Sequence, residues 1–254
     1  MRQLLPKTSR DGDPDLASLY AYPGGARRWV RANMVSSLDG AAAADGLSAG
    51  LSGAADKQLF RLLRGLADVV LVGAGTVRTE GYAKPVAARE QFAAARARAG
   101  QTPAAAIAVV SAGLDLDFDS SLYRDAATPT ITVTTQDAPA ERLAAARAAG
   151  DVVQAGSGQV DLAAAIDLLT AAGRGRILCE GGPRLLAAVA AAGRLDELCL
   201  TVSPRLVAGA APRVLAGPEF DPPLPLTLHT LATADGFLFA RYLTARVDSS
   251  ASAR

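Results

Sequence analysis

Short runs of apolar and β-branched residues alternate along this chain with longer segments whose apolar residues recur every three or four positions, the pattern of an α/β sheet with helices packed on it. Trp29 to Val35 predicts a first strand, ending in the turn Ser36-Ser37-Leu38-Asp39-Gly40. After an alanine and glycine loop, Ser52 is placed to cap a helix from about Ala54 to Leu66. Ala55, Leu59, Leu62 and Leu66 share one face of that helix, and Lys57, Arg61 and Arg64 line another. Strands are predicted over Asp68 to Val72, Ala105 to Val110, Thr130 to Thr134 and Val152 to Ala155. Alanine- and arginine-rich helices at Ala88 to Ala99 and Ala138 to Ala149 fill gaps between them. A helix from Val160 to Ala172 stops at Gly173, a strand runs from Arg176 to Glu180, and Pro183 opens a helix to about Ala192. Leu195 to Val202 is strand-like, and a long loop from Ser203-Pro204 leads to Pro225. Leu226 to Leu231 and Phe237 to Leu243 then predict an antiparallel hairpin turned at Asp235-Gly236. Residues 28–245 read as one domain without internal repeats. Residues 1–27, with Pro6, Pro14, Pro23, Gly24 and Gly25 among charges, read as an arm lying along the surface or across a partner subunit, and 246–254 as a flexible tail.

Two strand ends carry glycine: Leu71-Val72-Gly73-Ala74-Gly75-Thr76-Val77 and Leu178-Cys179-Glu180-Gly181-Gly182-Pro183. In each, the chain leaves the sheet through residues without bulky side chains, so backbone N–H groups can approach a ligand, and the second turn runs directly into a helix. A dinucleotide pyrophosphate fits such a place. Either glycine pair alone also serves as a simple turn former or helix stop.

The 254 residues are half hydrophobic, with 26 basic against 25 acidic side chains and a net charge of +1. That describes a soluble globular chain long enough for a substantial core. No basic stripe is present to neutralise a row of phosphates, which sets nucleic acid aside. The apolar runs are broken well before a bilayer is spanned and the first residues lack a signal core, so a membrane location is set aside and a cytoplasmic one is expected. Cys179 and Cys199 sit inside strand-like runs and form no CxxC pair. His229 is the only histidine, too little for a zinc site or a Ser-His-Asp relay; it reads as an edge or interface residue.

Taken in order, Val35-Ser36-Ser37-Leu38-Asp39-Gly40, Leu62-Leu63-Arg64, Val72 to Val77, Glu180-Gly181-Gly182-Pro183-Arg184-Leu185, and Asp196-Glu197-Leu198 ahead of Ser203-Pro204-Arg205-Leu206 resemble the reductase domain of bacterial riboflavin biosynthesis. The resemblance spans Trp29 to Leu243 and implies an α/β, dihydrofolate-reductase-like, three-layer fold: a mostly parallel central sheet with an antiparallel C-terminal hairpin and helices on both faces. It implies an NADPH-dependent reductase resembling 5-amino-6-(5-phosphoribosylamino)uracil reductase, with hydride passing from nicotinamide C4 to ribose C1′. The HxE and CxxC ligands of the zinc deaminase often fused ahead of that domain have no counterpart here, so the chain resembles the reductase alone, without a metal. Carried over by position, Val35, Ser36, Gly50, Gly73, Gly75, Thr76, Glu80, Ser111, Gly181, Gly182, Pro183, Arg184 and Leu185 fall on the cofactor side. Asn33, Ser48, Arg64 and Glu180 fall on the substrate side, and Glu180 and Asp39 are the candidates for moving a proton. Arginine grips phosphate bidentately, and a carboxylate hydrogen-bonds a pyrimidine edge. Structural alternatives stand beside these roles: Glu180 bracing its turn, Asp39 capping backbone donors, Arg64 pairing with exposed carboxylates and Ser111 forming a turn.

Two departures fall on the substrate side. Where the family often shows Asp-Asn-Pro or Asp-Asp-Pro followed by an arginine, this chain reads Thr79-Glu80-Gly81-Tyr82-Ala83-Lys84-Pro85, and Lys84 and Arg89 are alternatives for the missing arginine. A lysine that some members carry on the first strand falls at Asn33, which supplies neither a proton nor a charge. A reductase of a pterin or dihydrofolate-like substrate therefore stands as the alternative, and a non-enzymatic NADP(H)-binding protein as a farther one. Both faces of the C-terminal hairpin are partly apolar, and family members commonly dimerise, so a homodimer is expected.

Overall fold

The computed structural model of the protein describes residues 1–6, 15–82 and 84–245. The expected tail, 246–254, lies outside the described residues. Along the chain run β1 (Arg2–Leu5), α1 (Leu16–Leu19), β2 (Trp29–Ser37), α2 (Ala54–Leu66), β3 (Val69–Gly73), α3 (Ala74–Thr79), α4 (Glu90–Arg98) and β4 (Ala106–Val110). There follow α5 (Ser121–Arg124), β5 (Ile131–Thr134), α6 (Ala140–Ala149), β6 (Asp151–Gln154), α7 (Leu162–Ala171), β7 (Arg176–Gly181), α8 (Pro183–Ala191), β8 (Glu197–Ser203), β9 (Leu226–Ala234) and β10 (Phe237–Thr244). The strands join in one sheet, ordered β1-β9-β10-β8-β2-β7-β3-β4-β5-β6. From β8 to β6 every neighbouring pair is parallel, whereas β10, β9 and β1 add antiparallel.

The inner strands are apolar on both faces because helices cover both. Val69, Leu71, Ala108 and Val30 look toward Ile166 and Leu169 of α7 and Leu186 and Val189 of α8. Val70, Val72, Val109 and Leu178 look the other way, toward Leu59 and Leu63 of α2 and Tyr20. This is the three-layer α/β arrangement that the sequence implied. The hairpin turns at Asp235 and Gly236, both at positive φ (52° and 79°), as a two-residue turn between twisted strands requires.

Three local expectations change. Residues 1–27 are not simply a surface arm: β1 extends the sheet by pairing with β9, and Tyr20, just past α1, is 1 % exposed in the core. Ser52 does not cap α2; Gly53 does, where a Cβ would lie 2.7 Å from the Phe237 ring, and the Ser52 hydroxyl instead donates to Asp56 in the first turn. The glycine-bearing segment after β3 is no open turn, because the chain passes straight from Gly73 into α3.

A buried ion cluster joins the parallel and antiparallel halves. The Glu197 carboxylate accepts from Arg31 (Nε–Oε1 2.8 Å), Arg241 (Nε–Oε1 2.5 Å) and the Trp29 indole (2.8 Å). Arg31 Nη1 and Arg241 Nη1 donate to the carbonyls of Tyr20 and Leu19, holding the N-terminal segment on the sheet. Burial opposes ionisation of Glu197, but the two guanidiniums outweigh it and hold the carboxyl below its ordinary pKa. The stabilisation is therefore complete above the ordinary carboxylate range and is lost as pH falls through the depressed folded-state value. Glu197→Gln leaves two buried cations without their anion, and urea unfolding at pH 7 is expected to show a loss of about 3–5 kcal/mol.

Candidate active site

The carboxyl ends of parallel strands are where open α/β sheets bind ligands, and β2, β3, β4 and β7 bring most of the sequence candidates to that edge. β7 leaves the sheet through Gly181, at φ +84°, and a cis Gly181–Gly182 peptide. A Cβ on Gly181 would sit 3.2 Å from Met34 Sδ, and one on Gly182 would sit 2.8 Å from Thr76 Oγ1. The Thr76 hydroxyl accepts the Gly182 N–H at 2.6 Å, so both glycine segments form one structure. Gly182 caps α8 without a side-chain hydrogen bond and Pro183 takes the first helical position, which leaves the N–H groups of Arg184 and Leu185 without intrahelical partners. A Cβ at Gly75 would meet nothing within 4 Å, so the space beside α3 is open. Backbone donors at the start of a nine-residue helix, beside small residues, suit a pyrophosphate. Ser111 follows β4 at the same edge, buried, its N–H donating to Val133.

Beside this cradle, Glu180 and Arg64 face each other directly. Arg64 comes from the helix face read as basic; Lys57 and Arg61 on that helix stay in solvent. Its guanidinium binds Glu180 through Nε–Oε1 (2.7 Å) and Nη2–Oε2 (2.6 Å) and lies 4.2 Å from the Phe60 ring centroid. The Tyr82 hydroxyl donates to Glu180 Oε2 at 2.6 Å. Burial disfavours the charge on Arg64, yet the Glu180 carboxylate raises its pKa beyond the ordinary arginine value, so the guanidinium stays charged.

The strand register sets the remaining candidates side by side. β2 and β8 pair with Asn33 opposite Cys199, Val35 opposite Thr201 and Ser37 opposite Ser203. These side chains share one face, and Asn33 and Glu180, each one residue past the Ala32–Cys179 pair, share it too. Along this face the buried Asn33 Oδ1, Thr201 Oγ1 and Ser203 Oγ have no hydrogen-bond partner. Such atoms in a protein interior ordinarily find one, which makes these three candidates for contact with a polar ligand. Asp56 of α2 adds a buried carboxylate on the helix packed over this face, bound by Ser52.

Other candidates hold loops. Glu80 accepts the Ser48 N–H at 2.9 Å, tying the loop after β2 to the end of α3. Gly50 lies in the 3₁₀ turn Ser48–Gly50, and its carbonyl receives the Arg205 guanidinium. Ser36 donates to the Ser37 carbonyl. Asp39 accepts from the Ser37 hydroxyl and from the Val207 and Ala208 N–H groups. Those donors, the hydroxyl first, lower its pKa to about 2, so Asp39 has no proton to give near neutral pH. Sequence reasoning did not name Tyr82, Asp56, Thr201 and Ser203 as candidates. The period-2 run Cys199, Thr201, Ser203 was a usable signal: small polar residues facing one way in an otherwise apolar strand.

Residues 28–238 match the family model described as the RibD C-terminal domain. The chain belongs to the RibD C-terminal domain family. Among curated relatives, the 2,5-diamino-6-ribosylamino-4(3H)-pyrimidinone 5′-phosphate reductase of Methanothermobacter thermautotrophicus is 30 % identical over 76 % of this chain and 85 % of its own length. The enzyme of the same name from Archaeoglobus fulgidus is 26 % identical, over 76 % and 89 %. A pyrimidine reductase-like protein of Corynebacterium diphtheriae superposes with a TM-score of 0.77 at 27 % identity, over 86 % of this chain and 92 % of that one. The riboflavin biosynthesis reductase Rib7 of Saccharomyces cerevisiae shares the fold, with a TM-score of 0.66 at 16 % identity, over 91 % and 99 %. As a member of this family with named reductases as relatives, the RibD C-terminal domain described here is an oxidoreductase. Its described helices include none long and apolar enough to cross a membrane.

Within this RibD C-terminal domain, Asp39 acts on the loop after β8. In Asp39→Asn, hydrogen exchange at Val207 and Ala208 is expected to speed up by roughly tenfold or more, while the pH–rate profile between pH 5 and 9 keeps its wild-type shape.

Proposed function

We propose that the protein is an NADPH-dependent reductase of a ribosylaminopyrimidine 5′-phosphate, transferring a hydride to C1′ of the ring-opened sugar. The observation that carries this reading is the set of unpartnered polar atoms of Asn33, Thr201 and Ser203 lying beside the Arg64–Glu180 pair, next to a backbone cradle suited to a pyrophosphate. The residues present fit the cofactor: Arg184 and Leu185 offer N–H groups to the pyrophosphate, with Thr76 holding Gly182 in place and Ser111 toward the adenosine phosphate. Val35 and Ser36, at the end of β2, border the nicotinamide side. Bound NADPH supplies the hydride at its nicotinamide C4. The protein positions the pyrimidine: Asn33, Thr201 and Ser203 read its polar groups, and Glu180 accepts from a ring N–H. Ser48, in the loop after β2, and Arg64 lie toward the sugar phosphate. Asp39 is ionised and braces a loop, so it is not the source of the proton that accompanies the hydride, which leaves Glu180 or a solvent molecule for that step.

The curated relatives' substrate name places an amino group at C2, where the uracil expected from sequence carries an oxygen. A second reading, a pterin or dihydrofolate-like substrate, draws on Asp56, because a buried carboxylate accepts well from the amino and N–H edge that pterins share with 2-aminopyrimidinones. The test is NADPH oxidation by the purified protein with the ribosylaminopyrimidine 5′-phosphate in its 2-amino and 2-oxo forms, and with dihydrofolate in parallel. Turnover of either pyrimidine phosphate is expected. Turnover of dihydrofolate alone transfers the site to pterins, and NADPH binding without oxidation of any substrate removes the enzymatic assignment.

We further propose a homodimer through the face of the hairpin turned away from Phe237 and Phe239. There Leu228 and Leu238 are each 38 % exposed, beside half-buried Val202, Leu231 and Tyr242. Light scattering is expected to give the mass of two chains for the wild type and one for Leu238→Lys.

A further inference from the structure

The Glu180 side chain is 2 % exposed, and the groups covering it are the Arg64 guanidinium and the Tyr82 phenol. Glu180 Oε2 already accepts from both Arg64 Nη2 and the Tyr82 hydroxyl, so a ligand N–H aimed at Oε2 takes the place of a donor already there. The two incumbents are unequal. Arg64 makes two parallel charge-assisted bonds from a rigid fork, rests on Phe60 and rises from the last turn of α2, so its withdrawal would strand a buried carboxylate. The Tyr82 hydroxyl makes a single bond to the carboxylate; its ring lies 5.3 Å from the Arg64 guanidinium and its N–H donates to the Val77 carbonyl, but it belongs to no helix or strand. It follows Glu80, the last cap of α3, and Gly81, whose φ of +66° marks a left-handed position at which the backbone can be redirected. The segment is also where this chain departs from the family pattern, having Glu80-Gly81-Tyr82 in place of the Asp-Asn-Pro type.

We propose that Tyr82 is a specificity-determining stand-in for the substrate's ring: its hydroxyl occupies the Glu180 Oε2 direction that the pyrimidine N–H takes, and it yields when the pyrimidine binds. The inference rests on the reading of Glu180 as the pyrimidine acceptor. It gives the site a threshold, because a ligand must offer Glu180 a donor better placed than the phenol; one that only fills space leaves Tyr82 where it is. Burial, followed by the adjacent Glu180 charge, raises the phenol pKa above its ordinary value. Tyr82 thus remains a neutral donor between pH 6 and pH 9, beside Arg64 and Glu180.

Tyr82→Phe keeps the ring and removes the competing hydroxyl. Where the competent, uncovered state is a minor one, apparent affinity is reduced by its population, so removal of the cover raises affinity. Steady-state kinetics with saturating NADPH are expected to show the KM for the pyrimidine phosphate falling roughly tenfold in Tyr82→Phe, with kcat/KM rising and the same KM ratio at pH 6 and pH 9. A tyrosine that merely supports Glu180 gives the opposite result, a raised KM, and an unchanged or raised KM overturns the proposal. The unfolding midpoint of the variant, measured alongside, identifies any rise caused by lost structure. Wild-type turnover is scored first and separately. Its absence with both pyrimidine phosphates overturns the function reading together with the stand-in, whereas wild-type turnover with an unchanged Tyr82→Phe KM overturns the stand-in alone.

Discussion

The contact on which the rest of this structure depends is the buried carboxylate of Glu197 between Arg31 and Arg241. A carboxylate in a protein interior is costly unless its charge and lone pairs are met, and here two guanidiniums and an indole meet them. Because Arg31 and Glu197 are register partners on β2 and β8, a slip of one strand by one residue would set its charge on the opposite face, away from its partner. The register so enforced continues two residues at a time toward the carboxyl edge. It brings Asn33, Val35 and Ser37 alongside Cys199, Thr201 and Ser203. What faces the cleft is settled several residues away from it, by electrostatics in the core.

Much of the fold was legible because the signals are local. Apolar runs gave the inner strands, Pro183 the start of α8, and Asp235-Gly236 the hairpin. What escaped follows from the same physics. β1 is four residues with no buried position, so its burial pattern carries no period, and only its pairing with β9 makes it a strand. In α3 the glycines masked a helix whose start is set by the chain's exit from β3. Arg31, Glu197 and Arg241 lie inside strand-like runs, where single charges look like interruptions, and their mutual pairing is tertiary information.

The candidate site divides along the same line. Residues whose positions depend on the local backbone, such as Gly181, Gly182 and Pro183, lie as the sequence suggested, at the exit of a strand into a helix. Residues whose positions depend on partners differ from the expectation of free ligand-binding groups. Arg64 and Glu180 bind each other across a separation of 116 residues. Glu80 holds Ser48, and Asp39 holds the loop after β8. No periodicity reports such pairings, and the Tyr82 hydroxyl on Glu180 belongs to the same class.

The two walls of the cleft are made of different material. One is main chain, where Gly181 and Gly182 are confined by Met34 and Thr76 and the donors are amides that every residue but proline possesses. The other is side chains: Asn33, Asp56, Arg64, Tyr82, Glu180, Thr201 and Ser203. Over evolutionary time these materials respond differently to substitution. The main-chain wall is nearly insensitive to change except at its glycines, so its ligand is inherited almost unaltered. The side-chain wall is rewritten by single codons, so under the function proposed above a lineage can change which ring it admits while keeping the electron donor it began with.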